Sequence, residues 1–395
     1  MFKVSDTLLR TLGLSDIHSV FDKTPANKKK NEMVFSLTFA AVFFSILGLV
    51  NKAIHEWDHD PYNTLEIIPM IFTTILGWFA GILMHSSTKK IKELLEDLKS
   101  SWTRELREGV NDMFIDTARR SIFFTVFYAI LIFTLGALYI ILPIARRIHH
   151  LVFGADNMPV DSNMGLLFIR YPFKVDSVPR YILCTIFEFS CTLFLMISYL
   201  GVDTLFHQST TIVSLLLETV GNKFGEMTLY SNLKTFDRRL LRRLNHVGEQ
   251  HCELLSYCRR IEEIFNPLIY LTTLLTSANL CVCVISLRSE LSKLQLGSAF
   301  VTLVQVVAII SQPLIYCNSA ENISHWTQNI ADTIYSCQWP EQSKSFKKMV
   351  QLIMMRAQCN YKFGAHGLFK VNRHLLTQLV HTAWNFFMLL RKKNL

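Results

Sequence analysis

The sequence predicts an all-α polytopic membrane protein. It has seven transmembrane helices, a cytoplasmic N-terminus, an extracellular C-terminus and a cytoplasmic amphipathic helix before the last span. Three observations carry this. Half of the 395 residues are hydrophobic, 12% are aromatic and only 18% are charged, and mean hydropathy is positive at +0.28, a balance unlike that of most soluble chains. The apolar residues gather into seven runs long enough to cross a bilayer. The Lys and Arg residues, which give a net charge of +9, lie in the gaps between those runs, as in membrane proteins and unlike nucleic-acid-binding patches.

A helix rising about 1.5 Å per residue needs about 20 apolar residues to cross roughly 30 Å of hydrocarbon. Residues 1–32 are polar, include Lys28–Lys30 and lack the pattern of a cleavable signal. The first run, 33–54, therefore acts as the insertion signal. The second covers 65–84, the third 121–145 and the fourth 181–206, with a possible extension toward Leu217. A short inner helix over His251–Phe265 precedes the fifth run, 264–286; the sixth is 299–320 and the seventh 368–390. The seventh is the weakest, because Lys370, Arg373 and His374 occupy its first turns. Between runs six and seven, Phe346, Met349, Val350, Ile353 and Met354 recur at helical spacing while Lys344, Lys347 and Lys348 fall outside the stripe. That is an amphipathic helix outside the bilayer.

Orientation follows from the positive charge. Of the 40 Lys and Arg, 27 lie in segments 1–32, 85–120, 222–263 and 322–366, and 11 in the alternate set. The excess marks the cytoplasmic side and puts the N-terminus inside and, after seven spans, the C-terminus outside. None of the nine Cys falls in the long outer loop 146–180, and free thiols on inner segments suit a reducing compartment. The sequon Asn322–Ser324 also falls inside, where it is not glycosylated.

Residues 266–270 read NPLIY, the Asn-Pro-x-x-Tyr pattern found near the end of the seventh helix of G-protein-coupled receptors. Here it opens the fifth span, in a chain of opposite orientation, and Asp237-Arg-Arg follows span four instead of span three. We read it as a chance match, with Pro267 in a first helical turn where its missing N–H costs little. A metabotropic seven-span receptor and a polytopic transporter or enzyme remain the alternatives on residues alone. No glycine-rich phosphate loop, nucleophile elbow or HExxH is present. The spacing of His246, His251, Cys252 and Cys258 matches no zinc site, so no cofactor or metal is expected.

The C-terminal third narrows the choice. Tyr335…Trp339 is followed by the basic amphipathic stretch Phe346–Gln358, then Gly367-Leu-Phe, and a last span ending HTAWNFFMLLRKK at His381–Lys393. Together with YPFKVDSVPRY (Tyr171–Tyr181) and the helix His251–Phe265, this order resembles the insect odorant receptor family. Trp384-Asn385 departs from the family's usual Tyr-Ser, so no hydroxyl role is assigned there. The inner loop 222–263 lacks the long insertion of the family's co-receptor, so the chain resembles a ligand-tuning subunit.

The resemblance implies a volatile organic ligand, membrane lipid as surroundings, and a co-receptor partner in a heteromeric, four-subunit cation channel, with no nucleic acid partner. It implies four regions: a cytoplasmic N-terminus (1–32), a six-span ligand-binding bundle (33–320), a subunit-docking segment (321–367) and a pore-lining terminal span (368–395). Leu389 corresponds to the family's aliphatic gate residue, and Lys392 to a polar pore residue of the co-receptor. A Lys in a cation path repels its own substrate, which favours a heteromer. Docking falls to Tyr335, Trp339, Phe346, Met349, Val350 and Ile353, although the same helix could lie flat on the inner leaflet. The ligand is expected in the outer half of the bundle, near Met70, Phe72, Thr73, Phe133, Tyr139, Phe187 and Phe300. Glu188, an ionisable group inside a span, either edges that pocket or is a packed, hydrogen-bonded carboxyl. Asp203, nearer the inner boundary, is read as structural.

Overall fold

The computed structural model describes residues 28–393 apart from 58–60, 109–111, 154–168, 174, 176, 231–237, 293, 295, 337–338, 342, 360 and 366. Most of the expected N-terminal segment, Asp237 and Cys337 thus lie outside the described residues. Among the described residues, nine α-helices follow in order: α1 (Lys28–Trp57), α2 (Pro61–Ser86), α3 (Thr88–Glu108), α4 (Asp112–Phe153), α5 (Val178–Tyr230), α6 (Arg238–Ser292), α7 (Leu296–Tyr335), α8 (Lys344–Gln358) and α9 (Arg373–Lys393). A 3₁₀ turn, Trp339–Glu341, precedes α8, and a two-stranded hairpin, β1 (Gly364–Ala365) and β2 (Phe369–Lys370), precedes α9.

Six of these, α1, α2, α4, α5, α6 and α7, are long and apolar enough to cross a membrane. The seventh expected span is present as α9, with 21 residues, but is not among the six. Arg373, His374, Gln378, His381 and Asn385 dilute its apolar content. α5, α6 and α7 run to 53, 55 and 40 residues. At about 1.5 Å per residue, each is roughly 60–80 Å long, twice or more the hydrocarbon thickness. The bundle therefore continues beyond the bilayer at one end. Two sequence expectations change as a result. The helix His251–Phe265 is no separate element but part of α6, and the region boundary at 320 falls inside an unbroken α7. Pro267 sits inside α6, not in a first turn. A proline there removes one backbone hydrogen bond and crowds the preceding turn. The flanking Ile261, Ile264, Phe265, Leu268 and Ile269 are all buried, and their packing holds the helix through it.

α5, α6 and α7 pack on one another and form the centre. α2 lies against α1, α5 and α6; α4 lies against α5 and α7; α9 lies against α6 and α7. At the extended end, the amphipathic α3 buries Ile91, Leu94, Leu95 and Leu98 against α5 and α6. Polar ties fix it there. Lys223 on α5 donates to both Glu105 oxygens at 2.9 Å, Gln250 on α6 joins the pair, and Arg104 meets Glu253 at 3.0 Å. Such pairs hold where burial and extra hydrogen bonds accompany the charge.

The hairpin before α9 turns at Gly367, whose φ of 72° is one that side chains with a Cβ resist. It is anchored to α6 through Glu262, which accepts from the Gly364 amide at 2.8 Å and from the Tyr361 hydroxyl. Burial, with the Glu262 charge, raises the Tyr361 phenol well above its usual value, so it stays a donor. Every cysteine among the described residues is a free thiol.

A candidate ligand-binding cavity

Four helices approach one another with one stripe each. α4 supplies Tyr128, Ile132, Leu135, Gly136 and Tyr139; α5 supplies Thr192, Leu195, Met196 and Tyr199; α7 supplies Gln305, Ala308, Ile309 and Gln312; α2 supplies Met70, Thr73 and Thr74. Each set follows the three-and-four spacing of one helix face. Thr276 and Asn279 of α6 complete the wall of a cavity of about 120 Å³, near the ~150 Å³ that takes up benzene in an engineered protein core. The lining is mainly carbon. Gly136 lets the Met196 side chain pack close to α4, since a Cβ there would lie 2.2 Å from its sulfur and would push it aside.

The polar groups fall into two kinds. Most hydroxyl protons are already used. Thr73 and Thr74 donate to Pro69 and Met70 carbonyls at 2.7 Å, Thr192 to Glu188 O at 2.9 Å, and Tyr199 to Thr73 O at 2.7 Å. Tyr139 donates to Gln305 Oε1 at 2.9 Å, which orients the amide. Asn279 Oδ1 faces the Cys283 thiol at 3.7 Å. The amide nitrogens of Gln305 and Asn279 have no hydrogen-bond partner among the described residues. They are donors open to a guest.

One end of the cavity is closed by a polar knot. Asp203 of α5 is fully buried. Its carboxylate accepts from Tyr128 of α4 at 2.5 Å, from Gln312 of α7 at 3.2 Å and from Tyr316 of α7. One turn further along α5, the His207 imidazole sits between Ser121 of α4 at 3.1 Å and Ser319 of α7 at 3.3 Å. Both clusters tie the same three helices. A buried carboxylate is tolerable only when several donors meet it, and here three side chains do.

Comparison with known proteins decides the family. A model of the 7tm Odorant receptor family matches residues 60–384. The chain belongs to the insect odorant receptor family. It is 21% identical to Odorant receptor 13a of Drosophila melanogaster, over 84% of this chain and 80% of that one. It is 22% identical to Odorant receptor 88a of the same fly, over 85% and 82%. The solved olfactory receptor OR5 of Machilis hrabei, in complex with eugenol, superposes with a TM-score of 0.78 at 14% identity, covering 98% of both chains. A second solved structure of the same receptor gives 0.77 at 15% identity, over 97% of each. The fold is therefore that of an insect olfactory receptor, and the protein is a membrane receptor of a sensory family, not an enzyme.

In this odorant receptor the sequence-predicted ligand residues separate. Met70, Thr73 and Tyr139 line the cavity. Phe72, Phe133, Phe187, Glu188 and Phe300 do not. Phe133 and Phe300 are 44% and 54% exposed on the outside of the bundle. Phe133 lies about 100° around α4 from its neighbour Ile132, which is on the cavity stripe. Phe72 and Phe187 are half-buried off their helices' cavity faces. Glu188 is 1% exposed and accepts from the Tyr171 hydroxyl at 2.8 Å, so the packed, hydrogen-bonded alternative describes it.

The docking set also divides. Phe346, Val350 and Ile353 are buried, in the face of α8 that packs on α6 and α7 of the same chain; a Cβ on Gly248 would come within 2.9 Å of Ile353. These three are therefore withdrawn from a partner's reach. Trp339 and Met349 pack partly against the same core. Tyr335 is 70% exposed, and the outer face of α8 carries exposed Leu352 and Met355. Leu389 and Lys392 lie in the last turns of α9, and their side chains fall outside the described residues.

Sequence reading missed most of the lining: Tyr128, Tyr199, Thr276, Asn279, Gln305 and Gln312. A signal was available. Each is a polar side chain inside an apolar span, and within each span they repeat at helical spacing, Gln305 with Gln312 and Thr276 with Asn279. Polar groups in a span turn toward protein or a cavity.

Proposed function

We propose that this chain is the ligand-tuning subunit of an odorant-gated cation channel in the plasma membrane, placed by family resemblance in the dendrite of an olfactory neuron. It binds a small apolar volatile between α2, α4, α5, α6 and α7 and acts with the odorant receptor co-receptor in a four-subunit heteromer. The observation that carries this reading is the carbon-lined cavity with two open amide donors, Gln305 and Asn279. Open donors and occupied hydroxyls favour a guest that accepts a hydrogen bond, an aldehyde, ketone, ester or ether, over a pure hydrocarbon. An apolar burial of ~250 Å² at ~25 cal/mol/Å² is worth roughly 6 kcal/mol before costs. One hydrogen bond from an amide adds about 1 kcal/mol, which brings affinity toward the micromolar range, near −8 kcal/mol.

Binding opens the channel only through a difference in affinity between closed and open states. The knot around Asp203 supports this step, because it joins one end of the cavity to three helices at once. In this reading α9 lines the pore, with Leu389 as an apolar constriction that blocks ions by dewetting, and Lys392 disfavours a channel made of this chain alone. The N-terminus lies in the cytoplasm. The test is a recording from cells expressing the chain with and without the co-receptor, against a panel of carbonyl-bearing volatiles and matched hydrocarbons. Ligand-gated cation current requiring the co-receptor, with no dependence on G protein or nucleotide, is expected. A large current from this chain alone, or a nucleotide-dependent response, would sink the reading.

A further inference from the structure

α7 serves two neighbours with different faces. On one face, Gln305 and Gln312 line the cavity. Gln312 also donates to both Asp203 oxygens at 3.2 Å, and Tyr316, one turn on, donates to the same carboxylate. The next two residues meet the start of α9. The Cys317 thiol is 1% exposed and lies in hydrogen-bond reach of the backbone of Leu376 and Asn372. Asn318 stands about 200° around the helix from Tyr316, and its Oδ1 accepts from Arg373 Nη2 at 2.8 Å.

Arg373 is the first residue of α9, and Asn372 caps that helix, its side-chain oxygen accepting from the Leu375 amide at 2.9 Å. The guanidinium is therefore carried on a formed helical turn. Beyond that turn the buried face of α9 is apolar, with Leu375, Leu379 and Ala383 packed toward α6 and α7. Apolar contact is non-directional. It selects the face that turns inward and resists sliding only weakly. A hydrogen bond from a charged donor is directional and stronger than a neutral one, so the Arg373–Asn318 bond fixes the register of α9 against α7. Between the cavity and Asn318 lies Pro313, inside α7. A proline there cannot donate to the carbonyl of Ile309, itself a cavity residue. α7 thus has a point of easy bending at the cavity wall.

We infer that Asn318 and Arg373 are the positioning residues that carry a movement of α7 to α9. This deepens the function proposed above and rests on it. A guest touches α7 at Gln305, Ile309 and Gln312, and Asn318 follows Gln312 by six residues, about 9 Å along the axis. A change of bend at Pro313 displaces Asn318, and the bond to Arg373 draws the first turn of α9 with it. Rigid helices joined by directional contacts carry coupling between sites in this way.

The test has two readouts, so that the coupling and the channel reading fail separately. In the first, hydrogen–deuterium exchange is followed on the full-length receptor in lipid nanodiscs, with and without a carbonyl-bearing volatile. The guest is expected to change exchange in peptides covering residues 372–380 of the wild type and not of Arg373→Met, while the cavity helices respond in both. Arg373→Lys keeps a cationic donor and retains the effect. Asn318→Leu removes it from the other side and serves if Arg373→Met does not fold. In the second, single-channel open probability is recorded with the co-receptor, a quantity independent of receptor number and of unitary conductance. Arg373→Met and Asn318→Leu should each lower odorant-driven opening roughly fivefold. The double variant should fall no further than either single, and Arg373→Lys should stay near wild type. Wild-type behaviour of the variants in both readouts, or losses that add in the double, would overturn the coupling. Exchange that follows the guest as expected in a chain that passes no current would sink the channel reading and leave the coupling standing. Cavity helices that no volatile protects would overturn both.

Discussion

Tyr139 on α4 and Gln305 on α7 meet at 2.9 Å, the phenol donating to the amide oxygen. The bond does two things. It joins two helices across the cavity, and it turns the Gln305 amide nitrogen toward the space a ligand would fill. Tyr139→Phe keeps the ring and removes the proton. The amide is then free to rotate, and a guest loses a pre-oriented donor. A neutral hydrogen bond is worth about 1 kcal/mol, so the EC50 for carbonyl-bearing volatiles should rise roughly five- to tenfold. Matched hydrocarbons should shift less. The comparison needs dose–response curves beside surface counts of a tagged receptor; equal shifts for both ligand classes would argue for a packing effect only.

Asp203 is an exacting position in the bundle. Tyr128, Gln312 and Tyr316 all direct a donor at it. Asp203→Leu strands those three buried donors, each costing about 1–3 kcal/mol when unsatisfied, and the receptor should fail to accumulate at the surface. Asp203→Asn keeps a carbonyl for one or two donors but brings an N–H₂ toward hydroxyls that already donate. Its surface level should be intermediate, with a lower thermal midpoint in detergent. Equal surface expression of wild type and Asp203→Leu would mean that the knot is dispensable.

How far the sequence anticipated these sites depends on which physical signal each one used. The spans were legible because apolar run length responds directly to bilayer thickness, as for 33–54 and 65–84. The ends of α5, α6 and α7 were not. Their continuations past the membrane are amphipathic and charged, and nothing in Arg238–Phe265 marks continuity with the apolar helix beyond Pro267; only packing around Ile264 and Leu268 does. The lining was legible only in small part. Aromatic content alone pointed to Phe133 and Phe300, which face outward, because lipid accepts aromatic side chains as readily as a core does. Polar residues repeating at helical spacing, Tyr128 to Tyr139 and Gln305 to Gln312, carried the more discriminating signal. The stripe of α8 was legible as a stripe, but amphipathicity does not say what covers it, and the chain's own α6 and α7 take Phe346, Val350 and Ile353.

The α3 clamp gives a prediction about stability outside the membrane core. Glu105 and Lys223 form a nearly buried pair, with Gln250 completing the carboxylate's partners. Glu105→Ala leaves Lys223 without its main partner, and breaking such a pair from one side costs roughly 3–5 kcal/mol. Replacing both, Glu105→Leu with Lys223→Met, removes the charges together and should recover much of the loss. The measurement is a thermal-inactivation series on the two singles and the double. Additive losses would show that the two residues act independently.

Leu389 lies near the end of α9, five residues after Trp384, in the stretch WNFFMLL. If this turn forms the narrowest part of a conduction path, its block depends on apolar bulk, since a ring of aliphatic side chains excludes water until it widens. Leu389→Ala shortens the side chain without adding charge or breaking the helix, alanine being the best helix former. Basal cation current in the presence of the co-receptor should therefore rise several-fold while odorant EC50 changes little, because the cavity residues on α4 and α7 are distant in sequence and untouched. Leu389→Ile, of equal volume, should leave the basal current low. A whole-cell recording of holding current without odorant separates the cases, with blocker-sensitive leak as the readout. Were the leak of Leu389→Ala equal to wild type at matched surface expression, the gate would lie elsewhere on α9, and a scan of its exposed face, Val380, Trp384 and Met388, would be the place to look.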